Sequence, residues 1–216
     1  TGKWHMAIDH NAFPQPEDQG FDFTRHDLGE SRAMRPHRLT GFATNNKNDP
    51  YQLDHKGFPK DRTTLDAIQF MKENKGKPFF LYYAAWLVHT PIHSRSKALL
   101  QKYCHKLGVE FPKDPIGWAL SGQRNPYYCA MVEMLDAYIG QIINYLEVTE
   151  DPRWPGHKLI ENTYLILTSD NGGIPWSLGT AESGHRSSDI YRGQKSSRYE
   201  GGHRVPLIVC YPDSVD

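Results

Sequence analysis

The sequence predicts an α/β protein: a largely parallel or mixed central sheet with helices on both faces. Three observations carry that prediction. Apolar runs at residues 79–85, 163–168 and 205–209 have the length and composition of buried strands. Helical periodicity lies before the first run and between the first and the second, the strand-helix-strand alternation that produces parallel sheets. Each run adjoins a segment that carries a cation, an imidazole or an acid, and open α/β sheets bind ligands at the carboxyl edge of their strands.

The elements follow in chain order. Gly2-Lys3-Trp4-His5 opens the chain, and in an extended backbone Lys3 and His5 lie on one face. Residues 6–60 are rich in Pro, Gly, Asn, Asp and His and read as a long irregular surface excursion. A helix is predicted over 61–75, with Leu65, Ile68 and either Met71 or the Lys72 stem inward and Gly76 closing it. The run at 79–85 reads as a strand buried on both faces. It delivers His89, within Trp86-Leu87-Val88-His89-Thr90-Pro91, to a turn. A helix is expected over 94–106, then a loop to Asn125 that carries Trp118. Asn125-Pro126 starts another helix with Pro at its first position. Met131, Leu135, Tyr138, Ile142 and Tyr145 continue it at the spacing of one buried face. The turn at 151–156 leads into the strand at 163–168, which stops at Ser169-Asp170-Asn171-Gly172-Gly173. No internal repeat or low-complexity tract appears.

Composition narrows the function classes. The 216 residues suffice for one domain with a core. Lys+Arg and Asp+Glu are 25 each, so no global field favours nucleic acid or an anionic membrane surface. No apolar stretch approaches the roughly 20 residues of a membrane span. Three cysteines (Cys104, Cys129 and Cys210) without metal-type spacing argue against a disulfide framework and a zinc site.

The strand end at Asp170-Asn171 is the most telling feature. Carboxylate and amide oxygens there suit Ca²⁺ or Mg²⁺ better than a soft metal, although Asp-Asn-Gly-Gly is equally good turn chemistry. Lys3, His5, His89 and Lys195 are the candidate anion-handling groups. Each has a structural alternative. Lys3 can pack its stem on a Trp, His89 can satisfy a carbonyl in its turn, and His5 can sit in a core. Lys195 shares its segment with Arg192, Arg198 and Arg204, as a solvated basic face would. His185, in Ser183-Gly184-His185-Arg186, is a candidate pocket-lining residue. His10, His93 and His203 are weaker candidates. Trp118, Trp154 and Trp176 suit either sugar stacking or loop plugging.

Four ordered motifs (Gly2-Lys3-Trp4-His5, His89-Thr90-Pro91, Ser169-Asp170-Asn171-Gly172, and Lys195-Ser196-Ser197-Arg198-Tyr199-Glu200-Gly201-Gly202) resemble those of the type I sulfatases. These are the arylsulfatase-like branch of the alkaline phosphatase superfamily. The resemblance covers essentially the whole chain. It implies an alkaline-phosphatase-like fold and a sulfuric ester hydrolase acting on a sulfated carbohydrate or aryl sulfate. It also implies that Asp170 and Asn171 ligate Ca²⁺, or Mg²⁺, that Lys3, His89 and Lys195 bind the sulfate, and that His5 helps expel sulfate from the nucleophile.

The family's nucleophile is a formylglycine made from a Cys or Ser in Cys/Ser-x-Pro-Ser-Arg. That motif, with a pair of metal-binding carboxylates, is expected upstream of Gly2, and none of the three cysteines here stands in it. Residues 1–216 therefore read as a partial catalytic domain, with the C-terminal subdomain also outside it. Alone it is expected to be inactive and aggregation-prone, because unpaired strand edges invite association. Export is implied by the resemblance alone. Two alternatives stay open: a phosphodiesterase or phosphatase of the same superfamily, and a non-catalytic relative that binds sulfated glycans. The first commonly has Asp-His where this chain has Asp170-Asn171.

Overall fold

In the computed structural model, the described residues are 1–4, 14–27, 42–49, 52–89, 92, 94–111, 125–173 and 191–212. His5, His10, His93, His185, Trp118 and Trp176 lie outside them.

Three helices form the scaffold. α1 (Arg62–Asn74) begins where the Asp61 side chain accepts from Thr64 N, an N-cap that satisfies an otherwise orphaned donor. α2 (Lys97–Leu107) is capped by Ser96 and ends at Gly108, whose φ of 65° is the left-handed C-cap conformation. α3 (Pro126–Val148) carries Pro at its first turn, and Asn125 Oδ1 accepts from both Tyr127 N and Tyr128 N. At about 1.5 Å per residue α3 is the longest helix described, and it organises the core.

One end of α3 packs on α2, where Leu99, Ala130, Met134 and Tyr138 form one buried cluster. Its other end packs on α1 and the turn after it, where Ala67, Met71, Ile142, Leu146 and Leu159 form another. Phe79, Leu81 and Tyr83 pack against that second cluster, so α1 and α3 hold the segment that leads to His89. The Tyr138 hydroxyl donates to Pro59 O at 2.5 Å, tying α3 to the approach to α1. Asp61 is enclosed with Tyr83 and Thr64, and burial pushes its carboxyl above the usual range.

The helices lie close to expectation, but their inward faces differ in detail. On α1 the buried residues are Thr63, Thr64, Asp66, Ala67 and Met71, while Leu65 is 47% exposed. On α3 they include Met131, Met134, Tyr138, Ile142 and Leu146, so the stripe runs through Met134 and Leu146 rather than Leu135 and Tyr145.

The sheet departs further from expectation. Among the described residues no continuous central sheet forms; the strands make two separate pairs. β1 (Gly2–Lys3) is parallel to β2 (His26–Asp27). On its other side β1 meets residue 84 in a parallel bridge, with Lys3 N donating to Ala84 O at 2.8 Å and Ala84 N to Thr1 O at 2.9 Å. The second pair is antiparallel: β3 (Leu165–Thr168) against β4 (Leu207–Cys210), with Leu165 opposite Cys210 and Thr168 opposite Leu207. A four-residue helix, α4 (Glu200–His203), precedes β4.

Residues 79–85 are not a strand buried on both faces. Phe79, Leu81 and Tyr83 turn to the core, but Phe80 is 76% and Tyr82 50% exposed. The β3 run is likewise open rather than buried, with Ile166 67% exposed. The physical reason is the same in both places. A strand is buried by its neighbours, and the described residues provide only one or two short ones. Among the described residues no helix is long and apolar enough to cross a membrane.

Candidate anion and metal site

β1, the turn after residue 85 and the end of β3 bring distant side chains together. Lys3 Nζ donates to Asp170 Oδ2 at 3.2 Å across a sequence separation of 167 residues. The Lys3 side chain is only 14% exposed while that of Asp170 is 60% exposed, so the ion pair sits at a mouth rather than in a core. Such a half-open pair adds less than about 1 kcal/mol to stability; its value is positional. Lys3 Nζ also lies 5.4 Å from the centroid of the Trp86 ring, a cation–π contact that fixes the ammonium. His89 packs edge-on against the same indole, centroids 6.3 Å apart, and its backbone N–H donates to Trp86 O. Trp86 thus contacts both Lys3 and His89. The sequence reading had not singled it out; its place between a strand and a His was the available signal.

Lys195 joins the strand end through its backbone. Its N–H donates to Gly173 O at 3.0 Å, which fastens its loop to the segment after Asp170-Asn171. Next to it Gly172 N donates to Gly202 O at 2.9 Å. A β-carbon at Gly172 would fall 1.9 Å from Gly201 O, and one at Gly202 would fall 2.1 Å from Ser197 O. Only backbone fits at this seam, which is the physical reason for glycine in both motifs. Gly2 has the same role on β1: φ is 101°, and a β-carbon would meet Ala84 O at 2.1 Å.

Of the named site residues, Lys3 meets Asp170, His89 and Lys3 both contact Trp86, and the Lys195 backbone joins Gly173, two residues after Asn171. His5 and His185 lie outside the described residues. His203 is exposed and its ring nitrogen bonds Arg198 O. Trp154 stacks on the His157 imidazole at 3.6 Å, so one of its faces is already covered.

The donor set suits a hard cation in part. Asn171 Nδ2 donates to Gly172 O, which leaves the amide oxygen for another partner. The second oxygen of Asp170 accepts no hydrogen bond from the described residues. Two oxygens fall short of the six to eight that Ca²⁺ takes, and no group of three or more His, Cys, Asp or Glu among the described residues completes a shell. Asp170 and Asn171 fit one edge of such a site.

The fold and the strand end define a class: an α/β chain with a lysine–aspartate pair at the end of β3. The chain belongs to the sulfatase family, whose model matches residues 1–215. It is 29% identical over 232 residues to an arylsulfatase of Hemicentrotus pulcherrimus, covering 100% of this chain and 36% of that protein. It is 35% identical over 175 residues to a sulfatase of Formosa agariphila, covering 77% of this chain and 27% of the relative. Over 160 residues it is 32% identical to an N-acetylgalactosamine-6-O-sulfatase of Bacteroides thetaiotaomicron, covering 72% and 26%. The chain thus spans about a third or less of the length of these relatives. Family membership implies the alkaline-phosphatase-like α/β fold, which the helices and short strands match in part.

Proposed function

We propose that this chain supplies the sulfate-binding wall of a sulfuric ester hydrolase that removes sulfate from a sulfated carbohydrate or an aryl sulfate. The observation that carries the reading is the Lys3–Asp170 contact, which joins the first motif to the third at 3.2 Å. The relatives named above, an arylsulfatase, a sulfatase and an N-acetylgalactosamine-6-O-sulfatase, support it.

In this reading Lys3 and Lys195 neutralise the non-bridging oxygens of the ester. Preorganised cations aimed at developing charge are commonly the largest catalytic effect. Lys195 stabilises charge on the leaving oxygen, and His89 gives that oxygen its proton. His5 would serve a formylglycine nucleophile, a group that would supply the attacking hydroxyl. Asp170 and Asn171 contribute oxygens to a Ca²⁺ or Mg²⁺ ion, which when bound supplies Lewis-acid charge at the sulfate. An amide at Asn171, where a two-metal phosphodiesterase commonly has His, favours the hard cation and the sulfate ester.

The test uses the full-length protein with an aryl sulfate and an aryl phosphodiester, with and without a chelator. Lys195→Ala is expected to lower sulfate turnover about 100-fold or more, with chelation abolishing it. Preferential cleavage of the phosphodiester, or full sulfate turnover in both Lys3→Ala and Lys195→Ala, overturns the reading.

A further inference from the structure

We propose that Arg198 is a second anion-binding point beside this site, which selects substrates that carry another negative group near the scissile ester: a polyanionic glycan rather than a singly charged small ester. The inference rests on the sulfatase reading and names the substrate class within it. Charge is balanced over the whole chain, yet residues 191–204 hold Arg192, Lys195, Arg198 and Arg204 against Glu200 alone.

The structure sorts these four cations into two kinds. The Arg192 guanidinium lies 4.0 Å over the Tyr199 ring. Arg204 lies 4.8 Å over Tyr191 and bonds Glu200 Oε2 at 3.1 Å. Both are engaged within the loop. Lys195 and Arg198 have no ring or carboxylate partner among the described residues, and Arg198 is exposed. Lys195 lies inside one tight turn, closed by Ser197 N donating to Gln194 O at 2.9 Å and holding Ser196 at a φ of 69°, and Arg198 follows it directly. The backbone on both sides is fastened: Lys195 N to Gly173 O, and Arg198 O to the His203 ring at 3.2 Å.

Three residues span at most about 10 Å of chain. The Lys195 and Arg198 backbones are therefore close enough for their two side chains to reach neighbouring anionic groups of one sugar chain. A guanidinium suits the planar, two-point recognition of sulfate or carboxylate oxygens. Nucleic acid is the poorer fit, because single strands bind on open aromatic faces and the Tyr191 and Tyr199 rings already carry guanidinium groups.

The experiment compares the full-length protein with Arg198→Gln and Arg198→Lys on two substrates, an aryl monosulfate and a disaccharide bearing two sulfates. Arg198→Gln is expected to raise KM for the disulfated sugar about tenfold, the weight of one charge-assisted hydrogen bond, with kcat unchanged. Arg198→Lys recovers part of the loss, and the aryl ester, which has no second anion, is turned over as before. Equal effects on both substrates, or none on either, overturn the inference while leaving the sulfatase reading intact. If neither ester is turned over, the sulfatase reading fails, and calorimetric titration with the disulfated sugar still decides the second point. About tenfold weaker binding by Arg198→Gln supports it, and equal affinity overturns it. Tighter binding of a single-stranded oligonucleotide than of the sugar, lost in Arg198→Gln, overturns the glycan assignment.

Discussion

The helical scaffold and the site-bearing strand ends are held together by different means. Around α3, side chains fill the space: Met131, Met134, Tyr138 and Leu146 are each at most 1% exposed. Around Asp170, backbone meets backbone at Gly172, Gly201 and Gly202 with no room for a single added carbon. The contrast teaches where accuracy is built. A packed core adjusts to a change of shape at modest cost, whereas a glycine seam fixes the path of the chain and does not adjust. The Lys195 loop and the Asp170 strand end are joined through the second kind of contact.

The largest expected effect tests that contrast directly. Met134→Ala should cost about 2–5 kcal/mol and Met134→Leu less than about 1.5 kcal/mol in chemical denaturation. Gly172→Ala, which adds one carbon 1.9 Å from a carbonyl oxygen, should cost at least about 2 kcal/mol. A Gly172→Ala protein as stable as Met134→Leu would erase the distinction.

Next in size is the junction between the two regions, the turn from α3 to β3. There Arg153 bonds both oxygens of Asp151, Asn162 adds a third contact, and Asp151 is held down at about 2. A carboxyl depressed below its unfolded value of 3.8 stabilises the fold above that pH and loses the contribution as pH falls towards 2. The lost stability is about 2 kcal/mol. Denaturation series at pH 6, 4 and 3 should show this slope in the parent and a flatter one in Asp151→Asn; identical slopes would remove Asp151 as the cause.

Tyr138→Phe removes the hydroxyl that donates to Pro59 O and should cost about 1 kcal/mol, read from the denaturation midpoint. The smallest effect is expected on the open sheet. Ile166→Thr, at a side chain 67% exposed, should change stability by less than about 0.5 kcal/mol. A cost of 2 kcal/mol or more would mean that another part of the polypeptide covers that face.

The helices were legible because their signals are local. Asp61, Ser96 and Asn125 each cap the helix that follows, and such residues need no knowledge of the rest of the chain. The inward stripe of α3 was legible only approximately, since Met134 and Leu146 are chosen by what α2 and α1 present to them. The sheet was the least legible. Apolarity at residues 79–85 and 163–168 announced strands, but whether both faces are covered depends on neighbours far away in sequence. Phe80 and Ile166 stand exposed for that reason.

What the sequence by itself determined is the chemistry available and the turns that carry it: two oxygens and two glycines after β3, an imidazole after residue 85, and lysines at positions 3 and 195 in glycine-containing segments. What only the tertiary structure decided is who faces whom. Lys3 reaches Asp170 and the Trp86 ring, and the Lys195 loop fastens to Gly173. The Lys3–Asp170, Lys3–Trp86 and Lys195–Gly173 contacts are non-local, so they exist only once distant parts of the backbone have been brought together.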